Sequence, residues 1–233
     1  NGLVRIDDAQ LSIGAGNTKV KGQYVVDTGD FDAVANVHNL SLDTFTQDLT
    51  MPITGTVDGE IHVLGKNNQV TDLVGAVQGH QIGVRGVVLD SVKADLTHSD
   101  NLTNITMVGN MGAGSFSGYG SIQNGQVDAT ISGNALPLTS LSSIIGDDVA
   151  GTVSTSINVK GSLDNPNVTG TVWGQEVLYK GAHFNDIHSD ITLDNHVLTI
   201  TNGHIGDGSG GYDITGWYNI NTDALDLNAK ARA

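Results

Sequence analysis

Residues 152–160 read Thr-Val-Ser-Thr-Ser-Ile-Asn-Val-Lys, so that Val153, Thr155, Ile157 and Val159 alternate with polar neighbours. A side-chain period of two places these sets on opposite faces of an extended strand, one apolar-leaning and one polar. The pattern recurs at Val57, Ile61 and Val63, at Ile105 and Met107, at Val127, Ala129 and Ile131, at Ile191 and Leu193, and at Leu225, Leu227 and Ala229. β-Branched residues dominate these runs, and turn-forming pairs separate them: Asn124-Gly125, Asp194-Asn195, Asn202-Gly203 and Asp207-Gly208. The spacing predicts an all-β chain of antiparallel strands, about 15 to 18 of them, extending roughly 70 to 85 Å at the usual strand separation.

Two stretches break the alternation. Residues 40–49 (LSLDTFTQDL) and 136–149 (LPLTSLSSIIGDDV) have apolar spacings nearer three and four, and in the second Pro137 sits early and Gly146 late. Each reads as an irregular connector or a helical one of one to three turns.

The connectors reveal an internal repeat. Leu40 and Leu42 precede Leu136 and Leu138 by 96 positions, and GTVDGEIHVLG from Gly55 to Gly65 lies over GTVSTSINVKG from Gly151 to Gly161 at the same offset. After a one-residue gap, Gly79, Gly86, Val92 and Asp95 lie over Gly174, Gly181, Ile187 and Asp190. Gly14-Ala15-Gly16, Gly112-Ala113-Gly114 and Gly206-Asp207-Gly208 recur in phase. The expected organisation is a partial copy at 1–54, a full copy at 55–150 and most of a third at 151–233, each a multi-strand unit stacked on the next.

The segment Gly161-Ser162-Leu163-Asp164-Asn165-Pro166-Asn167-Val168-Thr169-Gly170, followed by Thr171-Val172-Trp173, resembles the repeated G-x-L-x-x-P-x-V-x-G-x-V signature of the TamB and AsmA-like family. Residues 179–187 and Leu193-Asp194-Asn195 resemble that family's following strands, ending at Gly211-Tyr212 and Gly216. The earlier copy lacks the proline between Gly65 and Gly75, and the order and recurrence of the matches carry the resemblance. The resemblance implies a long, curved periplasmic sheet folded into a taco-like open groove, apolar inside, that carries phospholipid between the inner and outer membranes of a diderm bacterium. It implies a linked role in outer-membrane biogenesis and a contact with an outer-membrane barrel protein through parts of the chain not present here. The family's membrane anchor has no counterpart in this sequence, which starts at Asn1 without an initiator Met or a leader pattern and reads as an internal segment of a longer protein anchored to the inner membrane.

Physical reasoning leads in the same direction. A sheet with one apolar face must cover it with another sheet, helices or a ligand, and long helices are absent from the pattern. In a slot lined by Val, Ile and Leu, each buried methylene of an acyl chain contributes about 0.8 kcal/mol without any dedicated polar site. Recurrent glycines permit the bends such a slot needs. The expected lining begins with Val57, Ile61, Val63, Ile105 and Met107, and continues through Val127, Ile131, Val153, Ile157 and Val159. It extends over Val168, Val172, Ile191, Leu193, Leu198 and Ile200 to Ile214, Leu225 and Leu227. The alternative is a structural or adhesive β-solenoid or β-sandwich array whose apolar faces seal against each other.

Other functions find little purchase. A net charge of −15, from 10 basic and 25 acidic residues, repels nucleic acid and anionic membrane surfaces. The chain has no Cys, which removes disulfides, thiolate metal sites and thiol nucleophiles. The run Gly206-Asp207-Gly208-Ser209-Gly210-Gly211 looks superficially like a serine-protease nucleophile segment, but an extra glycine interrupts it and no partner histidine is identifiable. A turn is the better reading, and a phosphate loop would need a helix start and a lysine. The eight histidines show no metal-site spacing; the best metal case is His188, Asp190 and His204 across a hairpin near Asp194-Asn195, against exposed histidines on a polar face. Asp27, Asp30 and Asp32 beside Gly29, and Asp147-Asp148, read as solvated turn carboxylates rather than a calcium loop. The acidic residues recur at turns and on polar strand faces, so no pair can be assigned the acid and base roles that glycan hydrolysis requires, and neither enzymatic activity nor a cofactor is expected. Trp173, Trp217, Tyr179, Tyr212 and Tyr218 gather in the last copy, as ordinary packing or as a headgroup rim or partner contact.

Overall fold

The computed structural model describes residues 2–47, 52–206 and 210–232. Among them, fifteen strands form an unclosed antiparallel sheet whose strand order is the order of the chain. The chain divides into two compact units, residues 1–109 and 110–233. The first holds β1 (Leu3–Ile13), β2 (Gly16–Val25), β3 (Asp30–Ser41), α1 (Asp43–Thr46), β4 (Ile53–Lys66), β5 (Gln69–Val84), β6 (Val87–Ser99) and most of β7 (Leu102–Met111). The second holds β8 (Gly114–Gln123), β9 (Gln126–Pro137), a 3-10 turn (Leu138–Leu141) leading into α2 (Ser142–Ile145), and β10 (Val149–Ser162). It continues through β11 (Asn165–Tyr179), β12 (Ala182–Asp194), β13 (Val197–Gly206), β14 (Gly211–Asn219) and β15 (Leu225–Arg232).

Hairpins connect most strands through two residues, and backbone chemistry explains the choice. Asn67-Asn68, Arg85-Gly86, Asp100-Asn101, Asn124-Gly125, Lys180-Gly181 and Asn195-His196 all have two consecutive positive φ angles, the mark of tight turns whose twist matches that of the strands. Gly14 and Gly112 open two further tips, so the two described Gly-Ala-Gly segments are hairpin turns; residues 207–209 of the third lie outside the described residues. Each connector contains short helix, with Leu40 and Leu136 still belonging to β3 and β9; residues 48 and 49 of the first connector lie outside the described residues. Thr46 ties α1 to the start of β4, its hydroxyl donating to the Ile53 carbonyl at 2.6 Å and accepting the Ile53 N–H at 2.9 Å.

One turn expectation is corrected. Asn202-Gly203 lies inside β13, where Asn202 alone has a positive φ of 50° and Gly203 remains paired with Ile214. A single left-handed residue makes a bulge; a hairpin of this kind needs two.

Such bulges recur in mid-strand. Asn39, Gln81, Ala135, Glu176 and Asn202 have φ between 48° and 50°, and the pairing register of their strand or its neighbour shifts beside each. At three of them a glycine two residues earlier gives room to an apolar side chain one residue later. A Cβ on Gly79, Gly133 or Gly174 would lie 2.7, 2.6 or 2.9 Å from Ile82, Leu136 or Val177, respectively. The bulge therefore turns a second apolar side chain toward the face on which the glycine leaves a gap, bending the strand as it does so.

Element bounds recur along the chain. β3 and β9 run from 30 to 41 and from 126 to 137, and β4 and β10 from 53 to 66 and from 149 to 162, both offset by 96 residues. β6 and β12 run from 87 to 99 and from 182 to 194, offset by 95.

Candidate functional site

The register sorts each unit into an apolar and a polar face. In the first unit Ile61 pairs with Ala35 and Gly75, Val63 with Ala33 and Leu73, and Val57 with Leu40 and Gly79. The same face continues through Val92, Ala94 and Leu96 of β6 and, in the other direction, through Val20 of β2 to Ile6, Ala9 and Leu11 of β1. In β7, Ile105 and Met107 are half-buried between exposed Asn104, Thr106 and Val108.

The second unit repeats the arrangement. Ile157 lies between Ile131 and Gly170, Val159 between Ala129 and Val168, and Thr155 between Gly133 and Val172, while Val153 faces Leu136 and Gly161 faces Val127. From β11 the row passes through Val168, Leu193, Leu198 and Tyr218 to Leu225, and a parallel row through Gly170, Ile191, Ile200 and Gly216 to Leu227. Ile214 pairs with Ala229 on this face. Within each unit, the lining residues placed by these pairings thus share one face.

That face has almost no cover. Among the described residues, Met111 (3% exposed) and Val177 (5%) are the buried apolar side chains; most of the lining is half-buried, and Ile131, Leu225 and Leu227 are exposed. The chain presents 14019 Å² of accessible surface, where a compact monomer of 24.2 kDa presents about 10,000 Å². Side-by-side contact within a single layer shields each Val or Ile only in part, and the rest of its area stays available to a second apolar body.

The polar faces carry cross-strand pairs. In the first unit the Asp32 carboxylate accepts from His62 at 2.7 Å, and Asp58 on β4 stands between His38 on β3 and His80 on β5, at 2.5 and 3.7 Å. The Asn39 backbone N–H, bonded to Asp58, holds that carboxyl below its ordinary value against an opposing desolvation, helped by His38 and His80. In the second unit Lys160 bonds Asp128 at 3.0 Å and Arg232 bonds Asp213. His98 is an exception among the histidines: it pairs with Leu73 on the apolar face, its Nδ1 2.8 Å from the Thr103 hydroxyl.

The chemical candidates separate in space. His188 and His204 face each other across β12 and β13 with ring centroids 5.6 Å apart, but Asp190 accepts the Asn202 amide at 2.7 Å, and among the described residues no three His, Asp or Glu converge on a metal-binding point. Asp30 accepts the Asn67 N–H at 3.3 Å while Asp32 engages His62, which splits the acidic cluster around Gly29. The aromatic group divides too. Tyr212 and Tyr218 share the apolar face with Ile205 and Leu198, whereas Trp173 and Trp217 stand on the polar face opposite His188 and Thr199. Sequence reading did not find the mid-strand bulges; their signal is the glycine three positions before an apolar residue, as at Gly79-Ile82, Gly133-Leu136 and Gly174-Val177.

No protein-family model, curated protein or solved structure matches the chain. Among the described residues, no helix is long and apolar enough to cross a membrane.

Proposed function

We propose that the apolar face lines a trough for the acyl chains of phospholipid, and that the chain is a non-enzymatic conduit segment of a longer periplasmic protein of the TamB and AsmA-like kind, anchored to the inner membrane and serving outer-membrane biogenesis. The observation that carries this reading is the extent of an apolar face without a covering layer: Val, Ile and Leu follow one another from strand to strand within each unit, and the described helices are single turns too short to cover them. An acyl chain laid along such a face gains from apolar area alone, and because successive strands offer similar surfaces it has no single preferred position. Headgroups then remain in water at the rim, and a barrel protein of the outer membrane would meet other parts of the longer protein.

Native mass spectrometry with lipid extraction tests the proposal. The chain purified from cells is expected to carry stoichiometric phospholipid, lost in Ile157→Asp and retained in Asn158→Asp, with both variants folded by circular dichroism. A lipid-free chain that also fails to take up a photo-crosslinkable lipid would instead support a structural array with sealed faces.

A further inference from the structure

The polar face of the second unit carries a feature that acyl-chain transport does not use. His188, Asn202, His204, Asp213, Thr215 and Arg232 line an open pocket of about 370 Å³. Outside its lining, on the same face, stand the chain's two tryptophans. Trp173 is the register partner of His188 on the outer side, and Trp217 sits two residues beyond Thr215 on the same face of β14. They are 45% and 39% exposed, on a face whose other side chains are largely polar or charged. Three strand spacings and four residues of rise separate them, about 20 Å on the diagonal. That diagonal passes over Asp190, hydrogen-bonded to Asn202, and over Thr201 and Thr199.

We propose that this surface binds an uncharged oligosaccharide, its pyranose rings stacked on Trp173 and Trp217 and its hydroxyls bonded to the Asp190-Asn202 pair and the threonines between them. Exposed indoles on a polar floor suit a ligand whose ring faces are apolar and whose edges are all hydroxyl, and the separation suits a short chain rather than a single sugar. Charge complementarity favours a neutral ligand. The chain carries −15 overall, which opposes phosphate or sulfate, and the pocket's Arg232 is bonded to Asp213. The surface lies on the face opposite Ile157 and Ile191, so the proposal stands or falls independently of the lipid trough.

Because Trp173 and Trp217 are the only tryptophans, tryptophan emission excited beyond the tyrosine absorption band reports this surface alone. Titration with cellohexaose and with fully N-acetylated chitohexaose, both uncharged, is expected to give a saturable change with at least one of them, at a Kd of about 1 mM or tighter. Trp173→Ala and Trp217→Ala should each weaken binding about tenfold, measured by calorimetry, and Trp173→Phe should recover part of the loss. Circular dichroism checks that the variants fold. A flat titration with both hexasaccharides to about 10 mM, or binding unchanged in both folded alanine variants, overturns the proposal.

Discussion

The Asp58 carboxylate on β4 accepts the backbone N–H of Asn39, the left-handed residue of the β3 bulge, at 3.0 Å. Ninety-six positions later Ser154 on β10 accepts the N–H of Ala135, the left-handed residue of the β9 bulge, at the same 3.0 Å. The same backbone donor is thus satisfied by an ion between two histidines in one unit and by a neutral hydroxyl in the other.

This difference predicts a pH-dependent contribution in the first unit and a pH-independent one in the second. The bound carboxyl of Asp58 is held below its ordinary value, so the folded state binds a proton there less readily than the unfolded chain does. Its contribution is complete above the ordinary carboxylate value of about 3.9 and is lost as pH falls through the lower folded value. In urea titrations the gap between the wild-type chain and Asp58→Asn should close in strong acid, as the carboxyl is protonated. Ser154→Ala should cost about 1 kcal/mol, with no such pH dependence.

Glycine substitutions should separate bulge positions from ordinary strand positions. An added methyl at Gly79 or Gly174 meets Ile82 or Val177 inside 3 Å, and the alanine variants are expected to lose about 1–3 kcal/mol through overpacking. At Gly75 the nearest atom to a new Cβ is 3.5 Å away, an ordinary contact, and Gly75→Ala should lie within about 0.5 kcal/mol of wild type. Chemical-denaturation midpoints distinguish the two classes.

A pair of neighbouring charge substitutions tests the face assignment itself. Val168 lies on the apolar face and Asn167 on the polar one, so Val168→Asp should reduce uptake of a fluorescent fatty acid while Asn167→Asp leaves it unchanged. Equal effects would mean that uptake does not follow the sheet's alternation.

Tyr218 donates to the Asp223 carboxylate at 2.6 Å, which raises its phenol above the ordinary value of about 10. In an ultraviolet titration one of the five tyrosines should ionise late, and Asp223→Asn should bring it back among the others. The sign follows from the carboxylate stabilising the neutral, proton-donating phenol, so the interaction persists at lower pH and disappears as pH rises through the folded value.

Alternation made the faces legible because a strand has only two, and one apolar residue such as Ile157 assigns all its neighbours by parity. The tip at Asn124-Gly125 was equally legible, since its two residues suit the two positive φ angles required there. Asn202-Gly203 has similar chemistry yet forms a bulge, because the strand resumes pairing at Gly203 and only one residue turns left-handed. Gln81, Ala135 and Glu176 were not legible as bulge residues. None has the local preference of Asn or Gly for positive φ, and their conformation is imposed by pairing with β4 and β10. The tryptophans and tyrosines share a stretch of sequence but not a face, a distinction that only register could make.

Strand order that follows chain order has a mechanical and an evolutionary consequence. No strand is threaded between two others that come from distant parts of the sequence, so a pull on the two ends would peel hairpins away in succession rather than rupture one central clamp. A duplicated pair of strands would need to satisfy only the edges it touches, which makes the length of such a protein a quantity that can change by whole hairpins without redesign of the rest.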